Sequence, residues 1–540
     1  MAISFAPLFK QLQSIAFLFD SDALQRKLAL LNSLQRTQLP SGNKLIPYHE
    51  TLLFLAAHPS SPQELAMVNH ELERIGKHCK RATLKERKGM VNSGLPYTST
   101  QTHFSHDFLL QLMADRDLKI HLQSMDEEEL DWNGFFRYTL PAMERSNTTA
   151  GYNFNELLDV LKVGEKQKFD FIIDQFKALN EQPFLKDEIF AQLNPVVDVS
   201  SAKPDFSRTQ NHFRLQQPFF HEGIIKKFDH VELLNTPVPP ALNLNEEEKN
   251  RAIRTVRYSL ALTARETDPC TYMDESSFRL YQLERGISIA FYSMVNQRQL
   301  PLESYVGYTL LKNGFPAAYG GAWVFGERAH FGINIFESFR GGESGYVLIQ
   351  LLRTYRQVFA LRYFEVEPYQ YGLDNPEGIT SGAFWFYYRY GFRPLHKELK
   401  QLAAKEALRI KNSPGYRSPE KTLIRFTEAN IGLDLEFQQQ ESILSLSAKI
   451  SSMMGKEYKG LRSLAITAIQ QQFLALTSLS LPSEKDRLAA LSDLLLMAKV
   501  LNRFEPKDLL LLPAMAAARV TSLYEYQQLL KSWLLQKVKS

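Results

Sequence analysis

The chain has only two cysteines in 540 residues, Cys79 and Cys270, and neither has a second cysteine at C-x-x-C spacing. A disulfide framework and a cysteine zinc cage are therefore excluded, and a reducing cytoplasm is the expected location. An excess of charge of one sign is also lacking, because 63 Lys and Arg oppose 59 Asp and Glu, a net charge of +4. The overall charge thus gives no argument for binding nucleic acid or an acidic membrane.

Long hydrophobic runs are lacking as well. The longest, LLLLPAMAAA at 509–518, contains Pro513 and is about half the length that a membrane-spanning helix needs. The N-terminal stretch alternates apolar with polar residues, which predicts a helix rather than a signal peptide. We therefore expect no membrane span.

A chain of 540 residues, 44% hydrophobic and 23% charged, exceeds the size of one ordinary core, which predicts about three domains. Apolar spacing and loop composition divide the chain into four segments. Three prolines followed by an acidic first turn, in LLNTPVPPALNLNEEEKN, indicate a linker entering a capped helix and set a boundary near 240. The predicted segments are a helical module at 1–90, a mixed, mainly helical region with loops at 91–240, an α/β domain at 241–435 and a helical bundle at 436–540.

The α/β domain has short β-rich runs with a period of two, between 285 and 370. The turn Asn313-Gly314 joins two of the predicted strands, and a third predicted strand runs into FRGGESGY, which opens a helix. One more strand, RYFEVEP, precedes an aromatic helix. This order predicts an α/β (α+β) fold flanked by largely α-helical N- and C-terminal regions.

The turn that opens the helix contains Arg340, Gly341, Gly342 and Gly345. A glycine-rich turn between a strand and a helix exposes backbone N–H groups at the positive end of the helix dipole, which suits a pyrophosphate. The alternative is purely structural, because a strand also needs glycine to turn sharply into a helix.

Six aromatic residues crowd into 384–390, in the stretch AFWFYYRYGFRP. Rings at nearly every position are not typical of a simple amphipathic surface helix, so we expect one face to pack on the sheet. The opposite face either lines a pocket or is covered by the helical flanks, and the second arrangement is favoured.

These two motifs together resemble the GCN5-related N-acetyltransferase (GNAT) superfamily. Its signature is an Arg-Gly-x-Gly-x-Gly turn followed by an Ala-x-x-x-Tyr-x-x-x-Gly-Phe helix, and the second half is matched here by Ala383, Tyr387, Gly391 and Phe392. The resemblance covers about 285–435. It implies a mixed central sheet and transfer of an acyl group from acetyl-CoA or another acyl-CoA to an amine, without a covalent enzyme intermediate.

The resemblance also implies roles for single residues. Coenzyme A would be held by Arg340, Gly341, Gly342, Ser344 and Gly345. Tyr387 would be the acid that protonates the departing thiolate. For the base, Glu337 is the first choice, with Glu365 and Glu367 as alternatives that a period of two puts on one face.

Two alternative functions remain open. Glu343 stands where the family usually has the second glycine of its turn, and Thr380 stands where an asparagine is frequent. The first departure favours a catalytically silent GNAT-like scaffold that binds a partner protein through its helical flanks. The other alternative is a Fem-like aminoacyl transferase, although 91–235 show no clear second copy of the domain.

Two further patterns point weakly to ligands. His103 and His106, with Asp107 beside them, have a spacing compatible with a metal site but lack a second pair of ligands nearby. The stretch 393–425 has nine Lys and Arg against three Glu, which fits a solvated helix face better than a site for a phosphate-bearing ligand or RNA. It contains a single aromatic residue, Tyr416, so nucleic acid is not expected as a partner.

Overall fold

The fold is described from a computed structural model of the chain, which covers residues 4–127, 129–149, 151–437 and 441–536. The chain forms two compact units. Unit 1 contains 1–223, 244–271 and 312–316, and unit 2 contains 224–243, 272–311 and 317–540. The four sequence-predicted segments are not tested by this division and stay a prediction.

The α-helices, numbered in chain order, are α1 Phe5–Ile15, α2 Ser21–Gln35, α3 Ile46–Ala57, α4 Pro62–Arg81, α5 Leu84–Lys88, α6 His106–Ala114, α7 Trp132–Thr139, α8 Phe154–Val160, α9 Lys168–Lys177, α10 Pro183–Leu193, α11 His230–Asn235, α12 Glu246–Ala261, α13 Asp268–Thr271, α14 Ser344–Phe359, α15 Pro376–Ser381, α16 Ala383–Arg389, α17 Lys397–Asn412, α18 Glu420–Phe426, α19 Ile443–Tyr458, α20 Arg462–Thr477, α21 Lys485–Val500, α22 Pro506–Leu509, α23 Leu512–Thr521 and α24 Leu523–Leu535.

The strands are β1 Thr100–His103, β2 Leu118–Ser124, β3 Val196–Ser201, β4 Met273–Gln282, β5 Ile287–Met294, β6 Ser304–Lys312, β7 Phe315–Phe325, β8 Arg328–Ile335, β9 Tyr363–Val366, β10 Arg393–Pro394 and β11 Ile431–Asp434. Short 3-10 helices at Glu337–Phe339 and Pro368–Tyr371 follow β8 and β9.

Unit 1 combines helices with a three-stranded antiparallel sheet of order β1-β3-β2. Val197 and Val199 of the central strand are fully buried, as β-branched residues with a period of two favour. The sequence predicted a mainly helical region here, because helical periodicity dominates the segments on both sides of this short sheet. The capped helix that the sequence predicts after the prolines is α12, which opens with a capping box in which Asn245 and Glu248 bond each other's backbone; the boundary near 240 stays a prediction.

Unit 2 contains an eight-stranded sheet of order β10-β11-β9-β8-β7-β6-β5-β4. β8 and β9 are parallel, whereas β4 with β5, β7 with β8 and β9 with β11 are antiparallel. The mixed sheet and the flanking helices are thus confirmed. α14 packs on one face of the sheet, where Tyr355 lies against Phe291, Tyr308 and Phe331, with ring centroids 4.5, 6.0 and 5.8 Å away.

The segment 224–243 runs along α14 as a strap. Arg353 of α14 has a fully buried side chain that donates to the carbonyl oxygens of Thr236 and Pro237 at 2.7 and 2.5 Å. The same guanidinium pairs with Glu284 at 2.8 Å. Because these partners use the directional donors of the guanidinium, the strap has a defined place on the helix.

The C-terminal helices α19–α24 bury a shared apolar core, as the sequence predicted. Its large members include Phe473, Leu495, Tyr526 and Trp533, and Leu302 and Phe325 of the sheet region belong to the same cluster. Within the described residues, no helix combines the length and the apolar character that crossing a membrane requires.

Candidate functional site

The candidate site lies where the two parallel strands of unit 2 separate. The register of β8 and β9 joins Arg328 to Tyr363, Ala329 to Phe364 and His330 to Glu365. β8 then continues to Ile335, still paired with β7, whereas β9 ends at Val366 and the chain turns into the 3-10 helix 368–371. Beyond His330 the second half of β8 therefore has the Gln370 side chain beside it instead of strand β9, and we call this region between the two strands the gap. The glycine turn follows β8 after the 3-10 helix Glu337–Phe339.

Gln370 lies at this gap. Its side-chain oxygen accepts from the Ile333 N–H at 3.4 Å, and its nitrogen lies 3.2 Å from where a Cβ on Gly332 would stand. The side chain thus takes up a backbone donor of β8 beyond the end of the parallel ladder. The sequence analysis did not identify Gln370, because nothing in its local pattern distinguishes it from other polar residues.

Tyr387 reaches the same place from α16. Its hydroxyl donates to the Gln370 oxygen at 3.5 Å, while its ring packs edge-on against Phe386 and Phe392 at 5.4 Å. Burial raises the pKa of the Tyr387 hydroxyl well above the ordinary value, so the group stays protonated at neutral pH. The Tyr387 ring therefore packs in the aromatic cluster, and its hydroxyl donates a hydrogen bond to Gln370 at the gap.

The other rings of α16 are divided between two neighbours. Phe384 stacks on Phe426 of α18, with ring centroids 3.9 Å apart and planes 11° apart. Trp385 donates through its indole nitrogen to Ser418 at 3.1 Å. These two rings are thus covered by α18 and the loop before it, which lie within the predicted 241–435 domain, and not by the helical flanks that the sequence favoured.

The glycine turn itself is open at its first position. Gly341 has φ +78°, and an added Cβ would meet no atom within 4 Å. Arg340 is 53% exposed; its Nε donates to the Ile335 carbonyl at 3.0 Å and its terminal nitrogen pairs with the exposed Glu377. Because an exposed ion pair is weak, Glu377 contributes little to holding the Arg340 guanidinium in place.

Glu343, the residue that departs from the family's turn, is turned inward. It is 4% exposed, and one of its oxygens accepts from the Ile225 N–H at 3.1 Å and from the Arg285 guanidinium at 2.8 Å. Arg285 lies in the β4–β5 turn, where Arg285 and Gly286 both have positive φ, 59° and 69°. The negative charge at the turn is therefore paired within unit 2.

Gly345 is in close contact with the aromatic cluster. A Cβ at this position would lie 1.7 Å from the Tyr390 hydroxyl. The Tyr390 ring is in turn stacked 6.0 Å from Phe228 of the strap and lies edge-on to His230 at 5.8 Å. Gly345 is thus needed for close packing at the start of α14, whatever ligand the turn binds.

Glu337 is exposed in the 3-10 helix after β8, and its backbone oxygen accepts from the Arg340 N–H at 3.1 Å. Glu365 and Glu367 instead flank His330 of β8. The His330 Nε2 lies 3.5 Å from a Glu365 oxygen, and its Nδ1 lies 3.8 Å from a Glu367 oxygen. The sequence reasoning missed His330, because only the register of two strands brings it between the carboxylates.

No protein-family model, no curated protein and no solved structure matches the chain.

The weaker sequence candidates have structural partners. In unit 1, His106 is buried, with Nδ1 3.1 Å from Asp107 and Nε2 3.0 Å from the Ile173 carbonyl, so both ring nitrogens are engaged.

In unit 2, α17 buries Leu399, Ala403 and Glu406. Its lysines at 397, 400, 405 and 411 face solvent, as expected for a solvated amphipathic helix.

Proposed function

We propose that unit 2 is a GNAT-like acyltransferase that moves an acyl group from acyl-CoA to an amine. The observation that carries the proposal is the gap between β8 and β9, which lies next to the glycine turn at the start of α14 and receives the Tyr387 hydroxyl. The resembling family needs these parts together: backbone donors on a splayed strand, an anion-binding turn and an acid for the leaving thiolate. The order of strands and helices from β8 to α16 agrees with the same family.

The acyl-CoA donor would be bound by groups whose present interactions are weak. Arg340 is half exposed, and its terminal nitrogen pairs with the surface carboxylate of Glu377 while its Nε donates to the Ile335 carbonyl. The open face of Gly341 leaves room for a phosphate next to the backbone N–H groups of the turn. On β8, before the turn, the Ile333 N–H donates to Gln370 over a long distance, 3.4 Å. An amide carbonyl oxygen of the pantetheine arm would replace Gln370 as its acceptor.

Glu343 should repel bound coenzyme A less than its position in the glycine turn suggests. A carboxylate facing a pyrophosphate would repel it, but this carboxylate is buried and paired with Arg285 at 2.8 Å. The silent-scaffold alternative therefore loses its main support. If the turn binds no thioester, the silent-scaffold alternative becomes the favoured function.

The chemistry asks little of the side chains. The amine nitrogen attacks the thioester carbonyl carbon, the carbon–sulfur bond breaks, and the sulfur takes a proton from the Tyr387 hydroxyl. Backbone N–H groups of β8 stabilise the oxyanion in between. Burial keeps the Tyr387 hydroxyl protonated before the reaction, and it also makes this hydroxyl a weaker acid than a free tyrosine. Its role as the acid therefore depends on its position at the gap.

Calorimetric titration of the full chain with acetyl-CoA and longer acyl-CoAs tests the donor site. We expect saturable binding that Arg340→Ala weakens by about tenfold or more, as loss of a charged phosphate contact would. Arg36→Ala, at an exposed arginine after α2 in unit 1, is the matched control and should bind like the wild type. Tyr387→Phe should bind normally but release free thiol about 10²-fold or more slowly.

Absence of binding to every thioester would refute the proposal. Binding of an aminoacyl-tRNA in its place would favour the Fem-like alternative. If Glu343→Gly restored binding to a silent wild type, the scaffold alternative would stand, with Glu343 as the cause of the lost affinity.

A further inference from the structure

His330 is the last residue of β8 that pairs with β9, and the gap between the two strands begins there. We infer that His330 is the general base of this site and that Glu365 positions it, an inference that rests on the acyltransferase proposed above. The acceptor it serves is an amine that arrives as an ammonium ion. Glu337, the base predicted from the sequence, is then not required for proton transfer.

Glu365 is built as an anchor. It is 6% exposed, and one oxygen accepts from Asn430 at 2.7 Å while the other accepts from Arg328 at 2.8 Å. With both oxygens engaged, this carboxylate is a poor base for a substrate. It can instead orient the nearby His330 Nε2 and stabilise the imidazolium that forms when the ring takes a proton.

Glu367 lies on the other side of the ring and differs in exposure. Its side chain is 68% exposed, and its oxygen is 3.8 Å from the His330 Nδ1. An exposed carboxylate beside the open nitrogen of the base can hold an ammonium ion next to the atom that will deprotonate it. Trp323 stands opposite His330 in the β7–β8 register and pairs edge-on with Tyr305 at 4.6 Å, so ring surface adjoins the approach of the cation.

His330 and Tyr387 both lie at the gap, His330 on β8 and Tyr387 through its hydrogen bond to Gln370. Gly332, two residues after His330 on the same face of β8, lies against the Gln370 amide to which Tyr387 donates. An acceptor that approaches from His330 therefore meets a donor thioester whose sulfur is protonated from Tyr387.

The protons balance over one cycle. His330 takes one proton from the acceptor ammonium, which frees the lone pair that attacks the thioester carbon. The carbon–sulfur bond breaks, and the thiolate takes the Tyr387 proton. The second proton lost by the nitrogen returns through solvent to Tyr387, and the first leaves His330 for solvent. The net products are an amide, a free thiol and one proton.

The test compares variants of the full chain by calorimetry with acetyl-CoA and by thiol release with a panel of primary amines: a polyamine, free lysine and a peptide α-amine. His330→Gln should bind acetyl-CoA within about twofold of the wild type but release thiol about 10²-fold or more slowly. His396→Gln, at an exposed histidine before α17, is the matched control. Glu337→Gln is compared in parallel.

Glu365→Gln separates positioning from mere stability. It should lower kcat without changing acetyl-CoA affinity, whereas Glu365→Asp, which keeps a carboxylate beside the ring, should recover part of the rate. The charged groups facing the ring from β8 and β9 are Arg328, Glu365 and Glu367, so Glu367→Gln is measured in the same series. A purely structural role would also weaken acetyl-CoA binding, and Glu365→Asp would then recover no rate.

Two results would overturn the inference while leaving the donor site intact. One is normal turnover by His330→Gln together with a loss in Glu337→Gln. The other is a wild type that binds acetyl-CoA but releases no thiol with any probe above the enzyme-free reaction. Failure of the wild type to bind acetyl-CoA removes the proposed function itself, and the inference falls with it.

Discussion

Substitution of Gly345 by alanine should destabilise unit 2. The added Cβ would lie 1.7, 2.4 and 2.9 Å from three atoms of the Tyr390 side chain, so the ring must move, and it is held by Phe228 and His230. Overpacking of this kind costs about 1–3 kcal/mol, and alanine regains about 0.5–1 kcal/mol in a helix. The free energy of unfolding should therefore fall by about 1–2 kcal/mol, measured by chemical denaturation.

Gly455→Ala is the matched control, because this glycine lies in α19 and an added Cβ there would meet nothing within 4 Å. That variant should be slightly more stable than the wild type. In a Tyr390→Ala background, Gly345→Ala should behave like the control. The coupling energy in a double-mutant cycle should therefore be about 1.5–3 kcal/mol, the net loss in the wild type plus the gain in the control. Additive single effects, or a Gly345→Ala variant as stable as the control, would refute the contact.

Two further predictions concern Gln370 at the gap and Glu303, the half-buried residue directly before β6. Gln370→Ala should tighten acetyl-CoA binding about 2- to 10-fold in calorimetry, since it frees the Ile333 N–H that Gln370 occupies at 3.4 Å; weaker binding would mean that Gln370 contacts the donor. Burial raises the pKa of Glu303 to about 7, against the opposing charge of Arg328. Because the folded pKa lies above the unfolded value of about 4.3, the wild type loses stability as pH rises from about 4 to 7. Glu303→Gln should thus gain stability relative to the wild type, on the order of 1 kcal/mol above pH 7 and nothing below pH 4, in denaturation curves across that range; a constant difference would contradict the assignment.

The sequence predicted much of unit 2 because its signals are local. The period of two located β6 to β9, and the Asn313-Gly314 turn has the positive φ values, 46° and 88°, that such a hairpin requires. The aromatic helix, the glycine turn and the C-terminal helices were equally readable. The small sheet of unit 1 was missed, because its strands are short and lie among helical segments.

Only part of the candidate site could be predicted from the sequence, because only some of its residues belong to local motifs. Arg340, Gly341 and Tyr387 belong to motifs of fixed spacing, so they could be selected from the chain alone. Glu343 could be recognised as a departure, but not as a paired group, because its partner Arg285 is 58 residues away in a different turn.

What the sequence by itself determined is the set of elements and the local chemistry that glycine, proline and hydrophobic period impose on the backbone. What only the tertiary structure decided is which charges meet. The strand register places His330 beside Glu365, 35 positions later in the chain, and the early end of β9 opens the gap that Gln370 and Tyr387 reach. Such contacts depend on register and on strand length, which are set by the packing of the whole sheet and leave no pattern in any short stretch of sequence.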